Sequence, residues 1–219
     1  MTKEEILAKL KDSITEMDVD LAEEAARAAA EAGIDANTAI TQGLSLGMAE
    51  MSDLFDEGEV FVPHLLVSAE AFEKAVAILT EGMSDEEKAA SSNGRVLVHT
   101  VQGDIHDIGK NIVKTMFSAS NFEVFDLGRD VPVEEVVAKA KEYKVDIIAG
   151  SALMTTTMPA QKDILRLLEE EGIRDKFIVI YGGAPVSKEW CDEIGADGYG
   201  DTAPESVEIA KKLLAAKRG

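Results

Sequence analysis

Up to residue 83, apolar positions recur at steps of three and four, the period of an amphipathic helix. Ile6, Leu7, Leu10 and Ile14 mark a first stripe, and an alanine-rich run from Leu21 follows and stops at Gly33, a natural helix terminator. Ile40, Leu44, Met48, Met51 and Phe55 make a third stripe. Pro63 stands where a first-turn proline is tolerated and opens a fourth helix carrying Leu65, Leu66, Ala69, Phe72, Val76 and Leu79. Four such segments joined by short connections predict an all-α four-helix bundle over residues 1–83. The stretch EGMSDEEKAASSNGR from Glu81 to Arg95 is polar and aperiodic, which predicts a linker over 84–94.

The grammar then changes. VLVHTV (96–101), FEVFDL (122–127), VDIIAGS (145–151) and KFIVIYG (176–182) are short continuous apolar runs, suited to strands buried on both faces of a parallel sheet. Helical segments are expected near 108–120, 133–143, 159–171, 187–194 and 204–216, with a short fifth strand near Ala196–Tyr199. Strand–helix alternation over 95–219 predicts an α/β domain with a doubly wound parallel sheet and right-handed crossovers. Ligands of such sheets lie beyond the carboxyl ends of the strands.

Charge follows the same division. Residues 1–90 hold 6 Lys/Arg against 21 Asp/Glu, and residues 91–219 hold 16 against 21, within a formal net charge of −20. A chain this acidic repels phosphate backbones and anionic membrane surfaces, so neither nucleic acid nor lipid is expected as a partner. With 46% hydrophobic residues the chain can bury a core, and it contains no uninterrupted apolar run of about 18 residues that would span a membrane. The N-terminus lacks the apolar centre of a signal peptide. A lone cysteine, Cys191, excludes an internal disulfide, and these features together predict a cytoplasmic protein.

Candidate chemistry gathers at the strand ends. The segment VQGDIHDIGK (101–110) leaves the first strand and enters a helix, but its glycine spacing matches neither a dinucleotide fingerprint nor a P-loop. It presents Asp104 and His106 with Gly109 behind them. An imidazole there can coordinate a metal through one nitrogen while a carboxylate holds the other N–H. One histidine under-coordinates a bare ion, so a metal here would arrive inside a cofactor. The alternative is an Asp–His pair that merely caps a helix, and the loop alone leaves both open. Strand three ends in SALMTTT (151–157), with four hydroxyls in seven residues, and strand four ends in Gly182-Gly183-Ala184-Pro185, where missing side chains would leave a channel for a ligand.

Taken in order, DIHDIG (104–109), Ser151-Ala152-Leu153 and Gly182-Gly183 resemble the three-part signature of the cobalamin-binding domain, a Rossmann-like fold of the flavodoxin type. The segment GMAEMSDLFDEGEVFVP (47–63) resembles the cap module that precedes this domain in methionine synthase and in methanogen-type corrinoid proteins. With no catalytic barrel in 219 residues, the chain looks like a free-standing corrinoid protein of methylamine, methanol or glycine betaine methyltransferase systems.

The resemblance implies a methyl carrier without independent turnover. Its cobalamin would accept a methyl group as Co(I) from a substrate:corrinoid methyltransferase and deliver it, from methyl-Co(III), to a second methyltransferase using coenzyme M or tetrahydrofolate. A reductive activase would be a further partner. Cobalamin would bind with its base swung off cobalt and His106 as the lower cobalt ligand, hydrogen-bonded to Asp104, with Thr157 ending that relay. The rest of the loop, Gly103, Ile105, Asp107, Ile108 and Gly109, would line the corrinoid. Ser151 and Thr155 would face the buried tail and Leu153 would pack on it; Gly182 and Gly183 would let it pass, with Ala203 alongside. Phe55 and Val62 would cover the methyl face, and the linker would act as the hinge that lifts this cap.

Three rivals share part of the pattern. A cobalamin-dependent regulator would add a basic DNA-binding segment, which is missing here; a mutase subunit would lack the helical cap; and a receiver domain would need an acidic residue where Ser151 stands. Elsewhere the plain readings are preferred: His99 packed in its strand, His64 a solvated first-turn residue, Met48 and Met51 core, Cys191 inert, and the acidic runs solvated.

Overall fold

The protein is described from a computed structural model covering residues 1–84, 87 and 92–218. The linker expected over 84–94 falls largely outside the described residues. The chain forms two compact units, the first over Met1–Ser92 and the second from Asn93 onward, with Ser118–Asn121 grouping with the first. Among the described residues no helix is long and apolar enough to cross a membrane.

The first unit is the expected bundle. Helices α1 (Lys3–Thr15) and α2 (Val19–Glu31) open on side-chain caps from Thr2 and Asp18. The third rod is compound: α3 (Ala36–Ala39), a π-helical turn (Ile40–Leu44) and α4 (Ser45–Asp56) run on without a break. Helix α5 (Val62–Leu79) completes the unit. The predicted stripes form its core, with Ile6, Leu10, Ile14, Leu44, Met51, Leu65 and Phe72 almost fully buried. Gly43 and Gly47 let α1 approach closely. A Cβ on Gly47 would lie 2.7 Å from the Lys11 carbonyl oxygen and from Ile14 Cβ, so any larger residue would push the helices apart.

The second unit alternates β1 (Gly94–Thr100), α6 (Ile108–Ser118), β2 (Phe122–Asp126), α7 (Val133–Glu142), β3 (Ile147–Ser151), α8 (Pro159–Glu170), β4 (Ile178–Gly182), α9 (Lys188–Ile194), β5 (Gly198–Tyr199) and α10 (Ala203–Arg218). All strands are parallel in the order β2-β1-β3-β4-β5. β1, β3 and β4 are buried almost throughout, as two-faced strands require. β2 departs from the expectation: it lies at the sheet edge and buries only Phe122, the remaining positions being partly or fully exposed. In this order the chain reverses direction across the sheet between β1 and β3, and the crevice at their carboxyl ends is where such folds bind ligands.

Candidate functional site

The loop leaving β1 and the loop leaving β3 flank that crevice, and Asp104 ties them together. Asp104 is wholly buried. Its Oδ1 accepts the His106 backbone N–H at 3.0 Å and the His106 ring at 2.8 Å. Its Oδ2 accepts the Leu153 N–H at 2.7 Å and the Thr157 hydroxyl at 2.8 Å. Burial alone would raise the Asp104 pKa, but these four donors outweigh it and hold the carboxyl well below the usual range. An ionised carboxylate accepts only, so the proton between Asp104 and His106 sits on Nδ1. Nε2 is thereby left as a lone-pair donor, without a partner among the described residues, on a side chain 47% exposed.

The surroundings suit a large, partly apolar group. Ile105 is 61% exposed, Ile108 78% and Leu153 45%, a concentration of bare aliphatic surface on the two loops that Asp104 joins. Nothing lies within 4 Å of the Cβ position of Gly109, so a ligand can approach that backbone closely. Asp107 is half-buried and Gly103 exposed in the same loop. Among the described residues no cluster of three or more His, Cys, Asp or Glu could hold an ion alone. One imidazole with a free Nε2 therefore fits a metal whose other positions are filled by a cofactor, and the donor set is compatible with a corrinoid.

The remaining predicted residues distribute as follows. Ser151 ends β3 half-buried, opposite Thr100 and Gly182 in the strand register. Thr155 is exposed in the following turn, while Thr157 is buried. Gly182 and Gly183 end β4, but the room they provide is taken by neighbouring backbone. A Cβ on Gly182 would lie 2.7 Å from the Gly200 carbonyl oxygen, and one on Gly183 1.9 Å from that of Ala152. These glycines let strand ends converge; the open channel expected there from missing side chains is not what occupies the space. Ala203 begins α10, half-buried. Within the helical unit, Phe55 and Val62 are half-buried in the last turn of α4 and the first residue of α5. Phe61 between them is 61% exposed. His64 is more than a solvated residue, since its Nδ1 accepts the Phe61 N–H at 2.9 Å and closes the start of α5.

Sequence reading passed over the loop after β2. Asp130 Oδ1 accepts the Gly103 N–H at 2.7 Å, and the Asp130 N–H donates to the Asp104 carbonyl at 2.9 Å. The signal available was an acidic residue ending the DLGRD turn (126–130), at the same sheet edge as the Asp104 loop.

The chain is similar to known proteins over nearly its whole length. Two family models, both described as a B12 binding domain, match residues 94–208 and 6–80. The trimethylamine corrinoid protein of Methanosarcina barkeri is 46% identical over 212 residues, covering 97% of this chain and 98% of that one. A cobalamin-binding protein from Desulfitobacterium hafniense superposes with a TM-score of 0.78 at 32% identity, over 94% of this chain and 97% of that one. One chain of the methanol:cobalamin methyltransferase complex of Methanosarcina barkeri gives a TM-score of 0.82 at 36% identity, over 98% of this chain and 81% of that chain. The chain belongs to the B12-binding corrinoid proteins, with a family match over each of its halves.

Proposed function

We propose that the chain is the methyl-carrying corrinoid subunit of a methylamine-type methyltransferase system. The observation that carries the reading is the Asp104–His106 pair, with Nδ1 held by a buried carboxylate and Nε2 left unpartnered at the switch point of the sheet. When bound, the corrinoid supplies a cobalt centre that takes up and gives back a methyl group.

The chain's own residues supply the control. His106 Nε2 would hold the cobalt, with Asp104 fixing the tautomer and strengthening the basicity of the imidazole. Thr157, donating to the far oxygen of Asp104, sets how much negative charge the imidazole senses. A proton taken up by this relay would weaken the hold of His106 on the group. Gly103, Ile105, Asp107, Ile108 and Gly109 would line the corrin. Ser151, Leu153, Thr155 and Ala203 would lie along its tail, with Gly182 and Gly183 setting the converging strand ends beside it.

The partners are a substrate:corrinoid methyltransferase upstream, a methylcorrinoid:coenzyme M or tetrahydrofolate methyltransferase downstream, and a reductive activase, all in the cytoplasm. Near-full-length identity to a trimethylamine corrinoid protein supports methylated amines as the donor class. The test is to load the protein with hydroxocobalamin, reduce it, and supply a methylamine together with its methyltransferase. One cobalamin retained per chain and one methyl accepted per cobalt support the reading; failure to retain the corrinoid would overturn it.

A further inference from the structure

The loop bearing His106 is held from outside as well as by its own bonds. Its first bend, at Gly103, has φ +83, and the backbone bond within it that closes the bend is Asp104 N–H to the Val101 carbonyl at 3.1 Å. Beyond the bonds to the Asp104 carboxylate, its backbone is braced from the loop after β2. There Asp130 reaches across twice, as acceptor for the Gly103 N–H at 2.7 Å and as backbone donor to the Asp104 carbonyl at 2.9 Å. These two bonds bracket the peptide immediately before Asp104, so they fix where its carboxylate, and through it the His106 ring, can point. Asp130 makes them from φ +53, a left-handed conformation that a residue with a side chain adopts at a cost and that aspartate tolerates better than most.

The second loop is itself anchored. The almost fully buried Lys110 donates to Asp126 Oδ1 at 2.7 Å, and the same oxygen accepts the Gly128 N–H at 2.9 Å. The Gly128 carbonyl in turn accepts the Thr100 N–H at 2.9 Å, and the Val131 N–H donates to the Thr100 carbonyl at 3.2 Å. Lys110 belongs to the helix that the ligand loop enters, so both ends of that loop are tied to residues 126–131.

From this bracket we infer that Asp130 is a positioning residue for the histidine ligand, fixing the Asp104–His106 pair from outside its own loop. The inference rests on the corrinoid reading of His106, and its first readout is independent of that reading. Three uniformly 15N-labelled full-length proteins decide it: wild type, Asp130→Gly and Asp130→Asn. Glycine accepts the left-handed backbone and removes only the acceptor; asparagine keeps an oxygen acceptor and tolerates the same conformation.

In the apo protein, amide exchange at Gly103 is protected in wild type and in Asp130→Asn, and about tenfold or more faster in Asp130→Gly. In the cobalamin-loaded Co(II) state, the fraction of cobalt carrying a histidine nitrogen, read by electron paramagnetic resonance, falls in Asp130→Gly and is restored in Asp130→Asn. A Gly103 amide unprotected in wild type overturns the inference. So does faster exchange in Asp130→Gly with undiminished histidine ligation, or a loss of ligation that asparagine does not restore. Absence of histidine ligation in wild type itself defeats the corrinoid reading, whatever the amides show.

Discussion

His99 gives the sharpest stability prediction. It lies on β1, packed with Tyr181 over Gly150, where an added Cβ would sit 2.8 Å from His99 Cε1 and 2.7 Å from Tyr181. The imidazole is fully buried, and neither ring nitrogen has a hydrogen-bond partner among the described residues. Burial, opposed in part by the nearby Ala149 backbone and aided by the Lys110 charge, pushes its pKa from 6.5 down to about 4. The neutral ring is therefore the folded form. Below pH 6.5 the unfolded chain takes up a proton that the folded chain refuses until pH approaches 4, so stability falls as pH falls through that window. Between pH 8 and pH 5 the loss amounts to about 2 kcal/mol.

His99→Leu, similar in volume and without a titrating group, removes that loss. Urea unfolding followed by fluorescence reads it within the α/β unit, because Trp190 is the only tryptophan and its Nε1–H donates to Gln161 there at 2.9 Å. His64 and His106 are common to both proteins, so their contributions cancel in the difference. The variant should keep about 2 kcal/mol more of its pH 8 stability at pH 5 than wild type does. Equal pH slopes in the two proteins would refute the reasoning, and so would a variant much weaker at pH 8, which would mean the ring nitrogens are satisfied in solution.

Two further substitutions probe the strand ends. Gly183→Ala places a Cβ 1.9 Å from the Ala152 carbonyl oxygen at φ +121, and should cost about 3 kcal/mol or more in the same unfolding assay; a near-neutral result would mean the β3 and β4 ends do not converge as described. Thr157→Val leaves Asp104 Oδ2 with the Leu153 amide as its remaining donor. It should cost about 1–2 kcal/mol in the apo protein and weaken histidine ligation in the loaded one; unchanged values for both would remove Thr157 from the relay.

The fold was legible because its periodicities are strong. Four helical stripes and four continuous apolar runs map onto the helices and strands to within about two residues, since two-faced burial leaves few polar positions to blur the central strands. The edge strand β2 is the exception, for it shares the apolar spelling of the central strands while its burial is decided by a neighbour it lacks. At the site, Asp104 and His106 were legible because they follow a strand end that topology brings to the crevice, whereas Thr157 was legible only through the family resemblance. Two things were not. A glycine pair reads alike whether it leaves space or admits a neighbouring carbonyl, and only coordinates tell which. Asp130 acts through a bond to a backbone N–H 27 positions away, and backbone partners leave no trace in residue type.

The central claim is that His106 binds the cobalt of a corrinoid whose own base is displaced. Protein grown with 15N-histidine and loaded with unlabelled cobalamin, then brought to Co(II), separates the possible axial nitrogens, because 15N splits each cobalt line into a doublet and 14N into a triplet. A doublet is expected in wild type, with its loss in His106→Ala. A triplet in wild type would contradict it, for the axial nitrogen would then belong to the cofactor.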